Sequence, residues 1–222
     1  MKILVACEES QAVTIELRKL GHEAFSCDII ECSGGHPEWH IMQDVLPLLN
    51  GRCSFKTMDG IEHSIDGKWD LIIAHPPCTY LTVAGAANIP KHPERIEKGF
   101  YAAEFLKKFL FADCEKVVVE NPPPMKRFNL PKYSQLVRPW MFGESNNKPI
   151  CLWLKGVQEL SATNIVEKDR DMVRWVHKKT GKKKSCSKWY NTNTNRHSRH
   201  RSKTFAGVAK AMAEQWGGEC ND

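Results

Sequence analysis

A cysteine and a glutamate stand at two proline-stiffened ends of apolar runs. Cys78 closes the stretch IIAHPPC, and Glu120 lies in VVVENPPP forty-two residues later. Proline fixes φ and cannot donate to a β-ladder, so Pro76 and Pro77 end the first run abruptly and leave Cys78 on a stiff turn. A thiolate is a strong nucleophile, and a buried carboxylic acid can protonate a ring nitrogen while the thiolate attacks. Pyrimidine chemistry uses such a pair. Attack at C6 of cytosine makes C5 carbanion-like, so that C5 takes a methyl group from a sulfonium donor; a base then removes the C5 proton and the thiol leaves. Alone, Pro-Pro-Cys at a strand end reads as a terminator with a spare cysteine. Joined to Glu-Asn-Pro at this spacing, it reads as a site.

The elements that position these residues alternate. KILVA is a buried strand, and SQAVTIELRKLG follows as an amphipathic helix with Ser10 as its N-cap and Gly21 as its C′ stop. HEAFSCDII gives a strand ending at Asp28, and HIMQDV a short strand-like piece before Asp44. WDLIIA is the clearest strand. The stretch from His92 to Asp113 places Ile96, Tyr101, Phe105, Leu106 and Phe109 at helical spacings, with Pro93 near the first turn. KVVVENPPP and KPICLWLKGV are further strands, and SKTFAGVAKAMAEQWGG closes the chain as a helix. Strands alternating with helices predict an α/β fold with a doubly wound, mostly parallel sheet. Ligands in such sheets sit at the carboxyl ends of the strands. Cys7, Glu8, Asp28, Asp44, Cys78 and Glu120 all follow predicted strands and are expected to converge on one rim.

The chain of 222 residues suits one such domain with a small appendage. The start, MKILVACEES, is too short for a signal sequence, and no apolar run approaches a membrane span, so a soluble, cytoplasmic protein is expected. Nine scattered cysteines without a CxxC pair predict reduced thiols rather than a disulfide frame or zinc site. Cys27, Cys32, His36 and His40 form the only metal-like cluster, and we read them as ordinary strand and loop residues, with no metal. Charge is unevenly spread: residues 172–203 hold eleven of the 32 Lys and Arg and no Asp or Glu, leaving 21 against 26 elsewhere. With Trp175, Trp189 and Tyr190 among them, these cations suit phosphate contact and base stacking, against a plain solvated loop as the alternative.

The chemistry-bearing stretches resemble the motifs of the cytosine-C5 DNA methyltransferases, in particular the short bacteriophage and prophage type. DLIIAHPPC resembles the family's Pro-Cys nucleophile motif and VVVENPPP its Glu-Asn-Val motif. ILVACEES lies where the cofactor-binding loop falls, FSCDI and HIMQDV where acidic residues meet the cofactor, and KTFAGVAKAMAEQWGG where the last motif returns to the cofactor pocket. The resemblance implies a Rossmann-like methyltransferase fold with a catalytic core at 1–155, a basic recognition insert at 156–203 and a returning helix at 204–222. Cys78 would be the nucleophile, Glu120 the acid at N3 of the base, Asn121 a holder of the nucleophile loop or base, and Pro77 the shaper of the turn. S-adenosyl-L-methionine would lie against Ala6, Cys7, Glu8, Ser10, Asp28, Ile29, Asp44, His75 and Pro76.

The implied partner is double-stranded DNA with a flipped cytosine, because C6 is unreachable in a stacked duplex. It would be held by Lys148, Lys182, Lys183, Lys184, Lys188, Trp189, Arg196, Arg199 and Arg201; the oligomeric state, for which a monomer would suffice, stays open. The chain departs from the family in its first loop, ACEESQ, which has no glycine, and in lacking a clear Gln-x-Arg-x-Arg strand. Two other readings stay open: methylation of RNA or a free cytidine nucleotide, and a nucleic-acid binder decayed in catalysis. The aromatic fourth residue of the Asn-Pro-Pro-Tyr motif of amino-methyltransferases is replaced by Pro124, which disfavours transfer to an exocyclic nitrogen.

Overall fold

The computed structural model describes residues 1–168, 172–177, 180–187 and 203–218. Apolar runs form the centre of a seven-stranded sheet: β1 (Lys2–Ala6), β2 (Glu23–Asp28), β3 (His40–Met42), β6 (Leu71–Ala74), β7 (Val117–Asn121), β8 (Gln135–Val137) and β9 (Ile150–Lys155). Their spatial order is β3-β2-β1-β6-β7-β9-β8, with β9 antiparallel to both neighbours and the first five strands parallel. The doubly wound, mostly parallel α/β sheet expected from the sequence is present.

Period-two side-chain alternation splits the core across the two faces. Leu4, Phe25, Ile72 and Val119 pack with Leu106 and Phe109 of α2 (Arg95–Leu110) on one side. Ile3, Val5, Ile73 and Val118 pack on the other with Val13 and Leu17 of α1 (Ala12–Lys19), and with Val208 and Met212 of α3 (Ala206–Met212). Gly207 makes α3's approach possible, since a Cβ there would run into the Phe142 carbonyl. Tyr101, expected on the buried stripe of α2, is 69% exposed, and Gly99 and Ala103 lie buried instead. Gly99 is needed there because a Cβ would run into the Phe128 ring.

Two hairpins lie outside the central sheet. β4 (Cys53–Lys56) and β5 (Glu62–Ile65) form one, which the sequence reading did not anticipate; it turns Phe55 onto Phe25 with ring centroids 5.0 Å apart. β10 (Met172–Val176) and β11 (Lys183–Ser187) form the other, inside the stretch read from the sequence as a basic insert. Trp175 is 40% exposed there, and Lys182 and Lys183 are exposed. Lys184 is paired opposite Trp175 in the ladder. Lys188, Trp189, Arg196, Arg199 and Arg201 lie outside the described residues. No described helix is long and apolar enough to cross a membrane.

The start of α1 corrects the expected Ser10 cap. Gln11 is the N-cap residue and makes no side-chain cap bond; the buried Glu8 carboxylate takes that role, accepting from Val13 N (2.6 Å), Thr14 N (3.3 Å) and Thr14 Oγ1 (2.7 Å). A carboxylate here satisfies orphan helix amides and faces the positive end of the dipole. At the far end Gly21 is the C′ residue as expected. Its φ of 82° lets Gly21 N reach Arg18 O and His22 N reach Leu17 O, the paired bonds of a Schellman stop. Glu8→Ala would strand buried donors and is expected to lower unfolding free energy by about 1–3 kcal/mol, read as a lower urea midpoint at unchanged slope. An unchanged midpoint would show that the anchor is idle.

Candidate active site

β1 and β6 are neighbours in the sheet, yet the chain leaves β1 towards β2 on one side and β6 towards β7 on the other. Such a reversal opens a crevice at the strands' carboxyl ends. A cleft of about 240 Å³ lies there. Cys7, Glu8, Glu9, Ser10 and Asp28 line it from the β1 and β2 ends, and His75, Pro77, Cys78 and Thr79 line it from the β6 end. Lys203 and Thr204, just ahead of α3, close it.

The loop after β1 takes a glycine-like path without glycine. Cys7 (φ 58°) and Gln11 (φ 57°) both lie in the left-handed region. Three anchors hold them there: Glu8 on α1, Glu8 N donating to Cys27 O (3.2 Å), and the buried Gln11 amide. Gln11 Nε2 donates to His36 O (2.8 Å) and Gln11 Oε1 accepts from His36 N (3.1 Å), clasping the loop after β2. Gly34 permits this docking, since a Cβ there would stand 2.6 Å from the Gln11 side chain. Beside the clasp, both carboxylate oxygens of Glu9 are buried with no hydrogen-bond partner among the described residues. Burial, then the charge of Glu9, push the Asp28 carboxyl up against the pull of the Ile29 and Ile30 amides. Acceptors without partners at this end of the cleft are of the kind that positive charge or hydroxyl donors would satisfy.

The β6 and β7 ends are tied together. His75 N donates to Ala6 O (2.9 Å), and Pro76 gives its carbonyl to the buried Asn121 Nδ2 (2.8 Å). Cys78 then starts a helical turn, with Leu81 N and Thr82 N donating to its carbonyl. The thiol is pushed above its ordinary pKa by burial and next by the Glu120 charge, while Lys148 pulls it down. Glu120 Oε2 stands 3.3 Å from His75 Nδ1, with the two side chains 16% and 8% exposed. Burial alone would raise Glu120, yet the His75 bond and the Lys148 charge outweigh it and hold the carboxyl below its ordinary value. Burial likewise would strip the His75 proton, but the Glu120 bond and charge, with Glu8 behind, hold the imidazole above its ordinary value.

Seven of the residues that the sequence singled out come together. Cys7, Glu8, Ser10, Asp28, His75, Pro77 and Cys78 share the cleft. Glu120 and Lys148 share a smaller neighbouring one that Lys203 and Thr204 also line. Ala6 is buried in β1 and Pro76 beneath the turn, while Ile29 is 76% exposed at the β2 end. Asp44 is exposed, accepts from Leu46 N (3.0 Å) and does not line the cleft. Glu9, Lys203 and Thr204 were not singled out as site residues. Glu9 carried a signal, since it follows a strand end beside Glu8; Lys203 was hidden in a run of cations.

No family model matches the sequence, and no curated protein does. Among solved structures, the chain is similar to one named as a presumed DNA modification methyltransferase encoded within a prophage (E. coli), at 13% identity and a TM-score of 0.40. The match covers 74% of this chain and spans about half (51%) of that one. A likeness that distant leaves the functional argument to this chain's own residues.

The His75–Glu120 pair makes stability depend on pH. A carboxyl held low stabilises above its unfolded value of about 4.3, and that contribution is lost as pH falls through the folded value. An imidazole held high stabilises below its unfolded value of about 6.5, and that is lost as pH rises through the folded value. The loss of unfolding free energy in Glu120→Gln is therefore expected to peak at about pH 5–6 and shrink towards pH 8. A pH-independent loss across that range would mean that the pair is not ionised.

Proposed function

We propose that this chain is an S-adenosyl-L-methionine-dependent methyltransferase that modifies C5 of cytosine in DNA through a covalent Cys78 adduct. The observation that carries the reading is that Cys78 and Glu120 stand at the ends of the paired strands β6 and β7, with His75 of the Cys78 cleft 3.3 Å from Glu120. Asn121 supports it by fixing the two turns to each other through Pro76. Cys78 would attack C6 of a cytosine turned out of the helix, and Glu120 would hold a proton at N3. Lys148 favours the thiolate and counters the neighbouring carboxylate.

The donor set at the β1 and β2 ends fits S-adenosyl-L-methionine. That molecule carries a sulfonium, an ammonium and ribose hydroxyls, and the unpartnered Glu9 oxygens and the Asp28 carboxylate suit such groups. When bound, it would supply an electrophilic methyl group. Glu9, Asp28, Cys7 and Ser10 would hold it, with Ile29 offering an apolar surface at the β2 end. In this reading residues 1–155 are the catalytic core, 156–203 the DNA-facing insert and 204–222 the segment that closes the cleft. The exposed Trp175, Lys182 and Lys183 suit stacking and phosphate contact.

One observation favours a second reading, a nucleic-acid binder without catalysis: Cys7 puts a side chain at a left-handed turn where glycine would leave the backbone open. One experiment separates the two. DNA containing 5-fluorocytosine, incubated with labelled S-adenosyl-L-methionine, is expected to form a stable covalent complex with the protein. Cys78→Ala is expected to abolish the complex and to lower methyl transfer to normal DNA by a factor on the order of 10⁴ or more. Salt-sensitive DNA binding with neither cofactor binding nor adduct would establish the binder instead.

A further inference from the structure

His75 is fixed where the strand ends meet. Its backbone extends the β6 ladder by one bond to Ala6 O, and its ring stands against Glu120, Nδ1 to Oε2, at 3.3 Å. The side chain is 8% exposed. Nε2 is buried without a hydrogen-bond partner among the described residues, and His75 lines the cleft with Cys78. A histidine retained only for structure would have both ring nitrogens paired, and Asn121 already locks the turn. The charged groups facing the ring are Glu120 from β7, Glu8 from the β1–α1 loop and Lys148 ahead of β9. Two carboxylates against one ammonium favour a proton on the imidazole.

The chemistry proposed above requires Glu120 to deliver a proton to the base, yet its partner favours the carboxylate. The two demands agree if the proton is kept next door. We propose that His75 stores the proton that Glu120 gives to N3 of the cytosine, acting as a positioning and relay residue behind the acid. The proposal rests on the cytosine reading. The Cys78 thiol first loses its proton to water. As the sulfur bonds to C6 and the C5–C6 π electrons move to C5, the His75 N–H proton passes to Glu120 and a Glu120 proton passes to N3. Imidazole becomes neutral, Glu120 ends as carboxylate and the adduct is neutral. After C5 has taken a methyl group and given its proton to water, the C6–S bond breaks, the thiolate leaves and the N3 proton returns to the pair.

His75→Gln keeps an N–H donor for Glu120 but cannot carry the proton. In the full chain it is expected to lower kcat for methylation of cytosine-containing DNA by about 10- to 100-fold at pH 7.5. The alkaline limb of the kcat profile should move down by about one pH unit or more, while KM for DNA and for S-adenosyl-L-methionine changes by less than about twofold. A variant with the wild-type pH limb, whatever its kcat, overturns the relay. Should His75→Gln unfold, NMR titration of labelled His75 in the wild type replaces it. An imidazole pKa above the ordinary value that falls in Glu120→Gln supports the pair as proton store, and one indifferent to Glu120 overturns it. The 5-fluorocytosine complex of the wild type reads the cytosine assignment separately. Its absence overturns that assignment and this relay together, whereas its presence with an unshifted limb overturns the relay alone.

Discussion

A carboxylate taken out of water must find a partner or give up its charge, and three glutamates at the strand ends of this sheet each meet that demand differently. Glu8 turns inward and spends both oxygens on the first amides and a hydroxyl of α1. Glu120 leans on His75 and the Lys148 charge. Glu9 has no partner at all among the described residues. One carboxylate therefore builds the fold, one is held by a buried imidazole, and one is left with its hydrogen-bonding capacity unused among the described residues. The cleft exists because the first holds the β1 loop in shape while the other two line the space it leaves.

The same demand explains how a glycine-free loop keeps a glycine-like path. Cys7 and Gln11 sit at left-handed angles that disfavour side chains, and isolated residues would relax out of them. They are kept there from both sides, by Glu8 on α1 and by the Gln11 amide clasping the loop after β2. Gly34 is the residue that allows the clasp, so the glycine absent from the first loop is in effect supplied by the second.

On the opposite wall, proline removes donors and stiffens turns, and Asn121 converts two independent strand ends into one body through the Pro76 carbonyl. That rigidity matters for a thiol held above its ordinary pKa by burial and by Glu120. Burial opposes its ionisation first and the Glu120 charge of β7 next, while Lys148, just ahead of β9, pulls the other way. Lys148, read from the sequence as a DNA contact, also acts electrostatically on this thiol and on Glu120.

The sequence alone determined the sheet and its chemistry-bearing ends. Apolar runs closed by Asp28, by Pro76 and Pro77 before Cys78, and by Glu120 with Asn121 were legible because strand burial and proline punctuation are local properties. The C′ role of Gly21 was legible for the same reason. Local pattern could not give the β4–β5 hairpin, in whose polar strands Phe55 and Ile65 alone are buried. Nor could it separate Ser10 from Glu8 as the cap of α1, because the choice depends on where a loop turns back. Tertiary structure alone decided the roles of the carboxylates and of His75. Adjacent in sequence, Glu8 and Glu9 have opposite fates, and the His75 imidazole is held above its ordinary value by Glu120 at a separation of 45 residues. Hydrogen bonds, desolvation and Coulomb energy depend on distance through space, and only the folded chain sets that distance.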